Sequence, residues 1–396
     1  MQKEQQQLAE LVKGKKVAFI GAGVSHKTLI EEFVGLGAQV TLCDKKNSVE
    51  DFGDYADTIR RLGIDLSLGE HYMDGFKGQD IILRTPGFEY YQKPLQDAIA
   101  AGTMVTSEVE LFFDYCPCEI VGVTGSDGKT TTTTLISKFY EAAGRKVHLG
   151  GNIGTPLFDR IADIRPDDFA VLELSSFQLH SMHCAPDVAI ITNISPNHLD
   201  VHPDFEDYVS AKCSIYRGQR PDGVLVLNAR DAHTPRFAAE APGSVRYFSS
   251  IGPVENGVYC SDGVIYRAHG GKAEKLVDVS DIRIPGAHNV ENYMAAFAAT
   301  DGLVGQAACV QVARSFAGVP HRMERIRELN GITFINDSIA SSPTRTIAGL
   351  HALPKPPVII LGGHDKHIPF DELGDEVCLH AKAAVVVGET AQRIAA

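Results

Sequence analysis

The stretch from Glu119 to Leu135 constrains the fold of this chain more than any other part of its sequence. β-Branched residues at 120–123 predict a buried strand, Gly125 to Gly128 predict a tight turn, and Lys129 begins a predicted helix. The backbone amides of such a turn and the free N–H groups at the helix start form a positively polarised cup for phosphate oxygens. The lysine would reach the outer phosphates, and the hydroxyl of Thr130 would bind Mg²⁺. The sequence therefore predicts a nucleotide-binding strand–turn–helix unit.

This stretch departs from the strict phosphate-loop pattern at one position, because Val123 stands where the pattern has a glycine. A plain glycine turn followed by a surface lysine is the alternative interpretation. The buried strand before the turn and the helix after it favour phosphate binding.

Length and composition indicate a large α/β enzyme. A chain of 396 residues is long enough for two or three domains, and 44% hydrophobic with 22% charged residues is typical of a soluble α/β protein. The net charge of −13 argues against nucleic acid as a partner, because binding to its phosphates needs a basic face. No apolar run approaches the roughly 18–20 residues that span a membrane, and the polar start predicts no signal peptide. The eight scattered cysteines lack paired zinc spacing, so we expect reduced thiols in the cytoplasm.

The N-terminal segment has the outline of a dinucleotide-binding βαβ unit. A predicted strand runs into Gly21 to Ser25, a helix follows from Lys27, and a second strand ends in Asp44, where an acid can meet a ribose. Because His26 stands at the third glycine of that fingerprint, the pattern is weak evidence for a nicotinamide cofactor, and another nucleotide would use the same amides. A later strand runs into Thr85 to Gly87. Ligands bind at the carboxyl ends of open parallel sheets, where these sites fall together.

The segment after the phosphate loop supplies candidate metal ligands. Glu173 ends an apolar strand, where a carboxylate is costly unless it has a partner. We expect it either to bind Mg²⁺ or to join a structural hydrogen-bond network, and the preceding loop favours the metal. His198 follows the next buried strand and is a second candidate ligand. Lys212 lies on a predicted helix at 205–216, where taken alone it would be a solvated lysine.

The remaining sequence predicts a β-rich region and then a third α/β segment. Short strands with glycine turns from 244 to 283 suggest a β-meander. Asn289 and Asn292 lie on one face of the next helix, where they could cap it or contact an adenine ring. A strand then ends in Asp337, and a helix and two more strands follow.

Taken together, these motifs resemble the Mur ligase family of peptidoglycan synthesis over essentially the whole chain. The motifs that carry the resemblance are 122–130, 151–154, 172–179, His198 to Asp200 with Lys212, His288-Asn289, His321-Arg322, Asn336 to Ser338, and Leu361 to Gly363 with Lys366. The resemblance implies three α/β domains. They are a Rossmann-like domain for the UDP-sugar at 1–116, a central P-loop ATPase domain with a parallel sheet and a small β-meander at 117–318, and a partial Rossmann-like ligase domain at 319–396.

The resemblance also implies a reaction. By this resemblance, the chain would use ATP to join D-glutamate to UDP-N-acetylmuramoyl-L-alanine through an acyl phosphate, with two Mg²⁺ sites. We expect a cytoplasmic monomer whose partners are these small molecules, with no nucleic acid and no membrane.

Site residues carried over from the family fall into several groups. Those implied to bind ATP are Gly125, Ser126, Asp127, Gly128, Lys129, Thr130, Thr131, Asn289, Asn292, Arg322 and Asp337. Those implied to bind the UDP part are Gly23, Val24, Ser25, Asp44, Thr85, Pro86 and Gly87. Those implied to bind metal are Thr130, Glu173, His198 and Lys212, the last as a carbamylated lysine, because a free ammonium would repel cations. Catalysis is implied for Lys129, Lys212, His198 and Asn152, and Lys366 is placed on the amino-acid side.

The sequence departs from the family pattern at further positions. Asp127 replaces the usual asparagine of the loop, and we expect its side chain to face outward without harm to binding. Ile339 stands where members often have a lysine, which puts a D-glutamate contact there in question. The family's final stretch, with a serine and a phenylalanine that hold D-glutamate, would follow Ala396, so we expect an incomplete amino-acid pocket.

Other functions compete with this interpretation. A nicotinamide-dependent oxidoreductase would use the first βα turn but would leave the phosphate loop, Glu173 and His198 without a role. A sibling Mur ligase or folylpolyglutamate synthase shares the ATP chemistry, although the latter lacks a leading nucleotide-sugar domain. A regulator that only binds its ligand is the remaining alternative.

Overall fold

The computed structural model describes residues 3–199, 201–340, 342–365 and 369–396. Its strands are β1 (Lys16–Ile20), β2 (Gln39–Asp44), β3 (Asp65–Leu68), β4 (Ile81–Leu83), β5 (Met104–Thr106), β6 (Glu119–Thr124), β7 (Val147–Gly151), β8 (Phe169–Glu173), β9 (Val188–Ile191), β10 (Val224–Asn228), β11 (Ser244–Ser249), β12 (Gly257–Ser261), β13 (Val264–His269), β14 (Lys272–Asp278), β15 (Glu324–Leu329), β16 (Ile332–Asn336), β17 (Val358–Gly362) and β18 (Ala383–Val387).

The helices alternate with these strands along most of the chain. They are α1 (Lys3–Val12), α2 (Val24–Gly35), α3 (Ala56–Leu62), α4 (Lys93–Ala100), α5 (Glu108–Tyr115), α6 (Lys129–Ala142), α7 (Ser176–Leu179), α8 (Phe205–Arg217), α9 (Thr234–Glu240), α10 (Ala287–Ala299), α11 (Gln306–Ser315), α12 (Pro343–Ala352), α13 (Asp371–His380) and α14 (Ala391–Ala395), with short 3-10 helices at Glu50–Tyr55, Gly69–Phe76, Phe158–Asp163 and Val279–Asp281. In the described part of the chain, none of the helices has the length and apolar character needed to cross a bilayer.

The chain divides into two compact units. The first comprises Met1–Ile120 with His148–Pro186, and the second comprises Val121–Val147 with Asp187–Ala396. The domain bounds inferred from the sequence, 1–116, 117–318 and 319–396, stay a prediction.

The first unit is built on a five-stranded parallel sheet with the strand order β3-β2-β1-β4-β5. Residues Val17 to Ile20 of β1 are all buried, as a central parallel strand requires. β1 pairs with β2 on one side and with β4 on the other, so the strand order reverses beside β1. Such a reversal opens a crevice at the carboxyl ends of the strands, which is where nucleotides bind in sheets of this type.

Helix α2 closes the βαβ unit that the sequence predicts. It begins at Val24, before the predicted start at Lys27. His26 is buried, its Nδ1 lies 2.9 Å from the Gly21 carbonyl oxygen, and its ring packs edge-on against Phe19. Burial lowers the pKa of His26 to about 4, so the ring is neutral near pH 7 and serves packing.

The first unit also contains β7 and β8, which are neighbouring strands. His148 of β7 and Asp168, just before β8, are both buried, and His148 Nε2 lies 2.8 Å from Asp168 Oδ2. Satisfying both groups within one buried pair avoids the cost of leaving either one without a partner.

The second unit contains a mixed sheet with the order β14-β13-β12-β11-β10-β9-β6. Strands β6, β9, β10, β11 and β12 are parallel, and β13 and β14 complete an antiparallel meander. The predicted meander from 244 to 283 is therefore partly wrong, because its first strand, β11, pairs in parallel with β10 and extends the parallel part.

Helix α6, which follows the phosphate loop, packs against α10. The rings of Phe139 and Phe297 stack with their centroids 4.8 Å apart and their planes 11° from parallel, and Tyr293 lies 6.1 Å from Phe139. These side chains are fully buried, and the alanine-rich sequence of α10 permits close approach of the helices. This packing anchors the helix whose first turn faces the predicted phosphate site.

The last part of the second unit consists of small sheets with helices. β15 and β16 form an antiparallel hairpin whose turn, Asn330-Gly331, has positive φ at both residues, as a type I′ turn requires. β17 and β18 pair in parallel. The predicted α/β class is confirmed, with a parallel N-terminal sheet, a mixed central sheet and small C-terminal sheets.

Candidate active site

The phosphate loop, residues 125–128, is held by the residues that end strand β9. β6 and β9 are parallel neighbours, so the turn after β6 lies beside the turn after β9. The Ser126 N–H donates to the Asn193 carbonyl oxygen at 2.9 Å, and the Asp127 N–H donates to Asn193 Oδ1 at 2.9 Å. The Thr192 hydroxyl donates to the Asp127 carbonyl oxygen at 2.5 Å. The protein itself fixes the loop backbone, which lowers the entropy that a ligand must remove.

Two glycines of the loop approach neighbouring side chains too closely for a Cβ atom. Gly125 has a φ of +141°, and an added Cβ would lie 1.9 Å from Thr192 Oγ1. Gly128 has a φ of +80°, and an added Cβ would lie 2.3 Å from Asn292 Oδ1. Both positions therefore need glycine for its backbone freedom and for its small size.

Two lysine side chains meet at one carbonyl group of the loop. Lys129 Nζ donates to the carbonyl oxygens of Gly125 and Ser126, each at 2.9 Å. Lys212, buried on α8, donates to the Gly125 carbonyl oxygen at 2.8 Å and lies over the ring of Tyr208 at 4.6 Å. Two ammonium groups that share one acceptor make this point strongly positive, and an anion placed there is stabilised.

Arg322 lies beside the first turn of α6. Its Nη2 donates to Thr130 Oγ1 at 2.7 Å. Asp337 accepts from the Met323 N–H at 3.0 Å, and burial raises the pKa of Asp337 above its usual value, although Arg322 opposes the rise. The structure thus brings Arg322 to the helix start that the sequence assigns to phosphate and metal binding.

Asp127 does not face outward, so that expectation is wrong. Its Oδ1 pairs with Nε of Arg345, and its Oδ2 accepts from the Thr344 hydroxyl at 3.0 Å. The Asp127 side chain is only 22% exposed. The carboxylate turns toward α12 because that helix presents a guanidinium and a hydroxyl at its start.

Asn289 and Asn292 lie on one face of α10, as predicted, and both are buried. Asn289 Nδ2 donates to the Pro285 carbonyl oxygen at 2.6 Å, and Asn292 Nδ2 donates to Asn289 Oδ1 at 3.2 Å. The alternative that they cap the helix is wrong, because Gly286 is the N-cap residue and the amides bond to other groups. Asn292 instead lies against Gly128 of the phosphate loop.

His198 and Thr131 are the other site candidates of the second unit. His198 lies in the chain segment that connects β9 to α8, and it is half-buried. Its φ of +56° is uncommon for a residue with a side chain. Its carbonyl oxygen accepts from the His202 N–H at 3.0 Å. Thr131 is buried in the first turn of α6.

Glu173 and Asn152 form a polar contact inside the first unit. Asn152 Nδ2 donates to Glu173 Oε1 at 3.0 Å. Glu173 is 2% exposed, and its Oε2 is buried with no hydrogen-bond partner within the described ranges. A buried carboxylate oxygen without a donor is unfavourable unless a cation fills the place, so this atom is a suitable ligand for Mg²⁺.

The residues predicted to bind the UDP part lie at the carboxyl edge of the first unit's parallel sheet. Gly23 is the N-cap residue of α2, and Val24 and Ser25 are in its first turn. Asp44 ends β2, and its Oδ1 accepts from the Lys46 N–H at 3.0 Å. The residues that follow β4 and share this edge are Thr85, Pro86 and Gly87. Lys366, the predicted amino-acid contact, lies outside the described residues.

Sequence reasoning missed several residues that shape the phosphate loop. Thr192 and Asn193 fix its backbone. They directly follow β9, which pairs with β6, and this position could have indicated their contact with the loop. Tyr208 was also missed, and its hydroxyl lies 2.9 Å from Ser126 Oγ. Arg345 gave no sequence signal, because it lies far from the loop along the chain and belongs to no motif.

Two models of known protein families match this chain. Residues 123–300 match the family described as the Mur ligase middle domain, and residues 321–396 match the Mur ligase glutamate ligase domain. The chain belongs to the Mur ligase family. Members of this family use ATP and Mg²⁺.

Two individual relatives are similar to this chain over nearly its whole length. The chain is 49% identical over 383 residues to UDP-N-acetylmuramoylalanine–D-glutamate ligase of Acetivibrio thermocellus. The matched region covers 97% of this chain and 82% of that protein. The chain is 46% identical over 394 residues to the ligase of the same name from Clostridium beijerinckii. Here the matched region covers 100% of this chain and 85% of that protein.

Solved structures share the fold. The MurF structure from Acinetobacter baumannii has a TM-score of 0.60 at 18% identity, covering 98% of this chain and 81% of that one. The MurC structure, a UDP-N-acetylmuramate–alanine ligase from Thermotoga maritima, has a TM-score of 0.55 at 20% identity, covering 96% and 87%. At these identities the likeness establishes the fold alone.

Proposed function

We propose that this chain is an ATP-dependent ligase that adds D-glutamate to UDP-N-acetylmuramoyl-L-alanine in peptidoglycan synthesis. The observation that carries the proposal is the 49% and 46% identity to relatives named for this ligase. That identity extends over 97% and 100% of the chain. The phosphate loop with its converging lysines supports the ATP-dependent half of the reaction.

The proposed reaction has two steps. The carboxylate of the L-alanyl group attacks the γ-phosphorus of ATP, and ADP leaves with the electron pair of the broken P–O bond, which gives an acyl phosphate. The amine of D-glutamate then attacks the acyl carbon, the amide bond forms, the amine loses a proton, and inorganic phosphate leaves with the electrons of the C–O bond. The main barrier is the approach of two anions, so fixed positive charge is the main requirement of the site.

Basic side chains of the second unit meet this requirement. Lys129 lies folded onto its own loop, and its ammonium can exchange two carbonyl partners for a phosphate oxygen, because charge-assisted hydrogen bonds are the stronger ones. Arg322 adds charge at the start of α6. We assign phosphate binding to the loop from Gly125 to Thr131, and adenine contact to Asn289 and Asn292, with Asp337 on the ribose.

We propose Thr130, Glu173, His198 and Lys212 as Mg²⁺ ligands. Glu173 has the strongest support, because its Oε2 is buried and has no donor in the described part of the chain. The Thr130 hydroxyl accepts from Arg322, whose guanidinium must turn away when that oxygen binds a cation. Lys212 is a hydrogen-bond donor in this structure, and carbamylation would convert it into an anionic ligand. When bound, Mg²⁺ neutralises phosphate charge and orients the transferred group.

We infer that the first unit binds the UDP-sugar. The turns after β1, β2 and β4 share the edge beside the strand-order reversal, and they carry Gly23 to Ser25, Asp44 and Thr85 to Gly87. Asn152 would contact the reacting carboxyl group, and Lys366 would serve the amino-acid side. A cytoplasmic location and a monomeric state belong to this proposal.

Phosphate release is the measurement that tests the proposed substrate. The chain is mixed with ATP, Mg²⁺ and UDP-N-acetylmuramoyl-L-alanine, and D-glutamate is compared with L-glutamate, L-lysine and meso-diaminopimelate. We expect release with D-glutamate alone. Equal release with another amino acid would identify a sibling ligase, and absence of release while ATP still binds would contradict the proposed activity.

A further inference from the structure

The phosphate loop carries a carboxylate at a place where the proposed function requires a polyanion to bind. Asp127 lies between Ser126 and Gly128, in the turn that immediately precedes Lys129. A negative charge this close to a triphosphate repels it, and the repulsion is poorly screened where solvent is partly excluded. The loop can therefore hold this aspartate only if another group neutralises it.

Arg345 provides that neutralisation from the first turn of α12. Its Nε pairs with Asp127 Oδ1, and its Nη2 donates to the Ser126 carbonyl oxygen at 3.2 Å. Its Nη1 donates to the Ile339 carbonyl oxygen at 3.2 Å. The Thr344 hydroxyl donates to Oδ2 of Asp127 at 3.0 Å, so both carboxylate oxygens of Asp127 have donors.

This pair differs from the exposed ion pairs of the protein surface. An exposed lysine–carboxylate pair such as Lys93–Asp97 has side chains that are 83% and 62% exposed, and pairs of that kind add little stability. The side chains of Arg345 and Asp127 are 16% and 22% exposed. Partial burial strengthens the attraction, and the bonds to two backbone carbonyls fix the guanidinium in place.

The position of the pair also joins two elements of the second unit. Asp127 is bound through its backbone to Thr192 and Asn193, and through its side chain to the start of α12. The start of a helix is its positive end, which adds to the stabilisation of the carboxylate. The phosphate loop is thus fixed from β9 on one side and from α12 on the other.

We propose that Arg345 is a positioning residue for ATP. Its guanidinium neutralises Asp127 inside the phosphate loop, so the positive charge of Lys129 remains available to the phosphates. Arg345 acts through Asp127 and makes no contact with the nucleotide. This inference rests on the proposed function, because it takes the loop to be the ATP site.

A double-mutant cycle tests this role. The dissociation constant for ATP with Mg²⁺ is measured by calorimetry for the wild type, Arg345→Met, Asp127→Asn and the double variant. Methionine keeps much of the length of arginine and removes its charge. We expect Arg345→Met to weaken ATP binding about tenfold, because Asp127 is left unneutralised. Asp127→Asn is the reference for the double variant, because its amide removes the charge that Arg345 neutralises.

Rescue is the decisive readout. In the double variant no carboxylate needs a partner, so its affinity should lie within about twofold of Asp127→Asn. A purely structural role of Arg345, through its bonds to Ser126 and Ile339, would leave the double variant as weak as Arg345→Met.

Arg325→Met is the matched control. Arg325 lies on β15 and pairs with Glu328 on the surface, so its loss should leave ATP binding unchanged. An equal loss in Arg345→Met and in the double variant, or no loss in Arg345→Met, overturns the role assigned to Arg345. A wild type that binds no ATP would instead defeat the proposed function, which keeps the two failures distinct.

Discussion

At the scale of single residues, space and burial decide what this protein tolerates. Gly128 has no room for a side chain beside Asn292, and the carboxylate at the neighbouring loop position, Asp127, pairs with Arg345. Elsewhere the first unit buries glutamates whose charge is costly. Two predictions belong to this scale.

Replacing Gly128 with alanine should damage the phosphate loop. The new Cβ would lie 2.3 Å from Asn292 Oδ1, and the φ of +80° disfavours any residue with a side chain. We expect the free energy of unfolding to fall by about 1–3 kcal/mol and ATP binding to weaken at least about tenfold. Chemical denaturation and calorimetry measure the two effects.

Gly144→Ala is the control for this substitution. Gly144 follows α6 with a φ of +76°, but an added Cβ there would meet nothing within 4 Å. It should therefore show the backbone cost alone and keep its affinity for ATP. Normal ATP binding by Gly128→Ala would show that the close approach to Asn292 is dispensable.

Replacing Glu108 with glutamine should change how stability depends on pH. Burial raises the pKa of Glu108 from 4.5 to about 7, and the hydrogen bond from the Phe158 N–H opposes the rise. The folded state therefore holds the proton more tightly than the unfolded state, so this residue makes the protein less stable as pH rises from about 4.5 to 7. In Glu108→Gln that loss is absent, and the variant should gain about 3 kcal/mol over the wild type between pH 4.5 and 8.

Urea denaturation at a series of pH values measures this difference. Glu70→Gln, which changes an exposed glutamate of the same unit, should run parallel to the wild type. A Glu108→Gln curve that also runs parallel would show that this carboxyl group ionises normally.

At the scale of elements, the helix that carries the phosphate site depends on packing against α10. Phe139 of α6 and Phe297 of α10 stack at 4.8 Å, and both are buried. The same α10 brings Asn292 to Gly128, so one helix both supports α6 and shapes the loop.

Phe297→Ala should destabilise the protein strongly. Removing a buried phenylalanine leaves a cavity and removes the stacking contact, which costs about 3–5 kcal/mol. Denaturation monitored by circular dichroism measures the change. Leu379→Ala, at a side chain that is 74% exposed on α13, should change stability by less than about 0.5 kcal/mol. Similar losses in both variants would contradict the assignment of α6–α10 packing as a stabilising core.

At the scale of the whole molecule, ATP binding should appear as added stability. A ligand that binds only the folded state adds about 2.7 kcal/mol when its concentration is about 100 times its Kd. We expect ATP with Mg²⁺ to raise the Tm of the wild type, and Lys129→Met to lose most of that rise. Without ATP the two proteins should unfold at similar temperatures, because Lys129 Nζ donates to backbone carbonyls of its own loop, where water can replace it. An equal rise in both would contradict the role assigned to Lys129.

The sequence alone determined the alternation of strands and helices and the strand–turn–helix unit that contains Lys129. Local patterns carry this information, since β-branched runs, glycine turns and helix starts depend on neighbours in the chain. The run at 120–123 became β6, Lys129 became the first residue of α6, and the strands ending at Asp44 and Glu173 were found with those ends. The position of Asn289 and Asn292 on one helix face also followed from spacing alone.

Only the tertiary structure decided which residues meet at the loop. Asp127 was expected to face outward, but its carboxylate pairs with Arg345, on a helix far along the chain. The pairing of β11 with β10 and the carbonyl shared by Lys129 and Lys212 likewise depend on how distant segments pack. The same holds for the Oε2 of Glu173, which has no donor among the described residues. Long-range contacts of this kind leave no local signal in the sequence. Neighbours in the chain determine the backbone conformation of a residue, whereas its packing partners determine its charge state, its burial and its ligands.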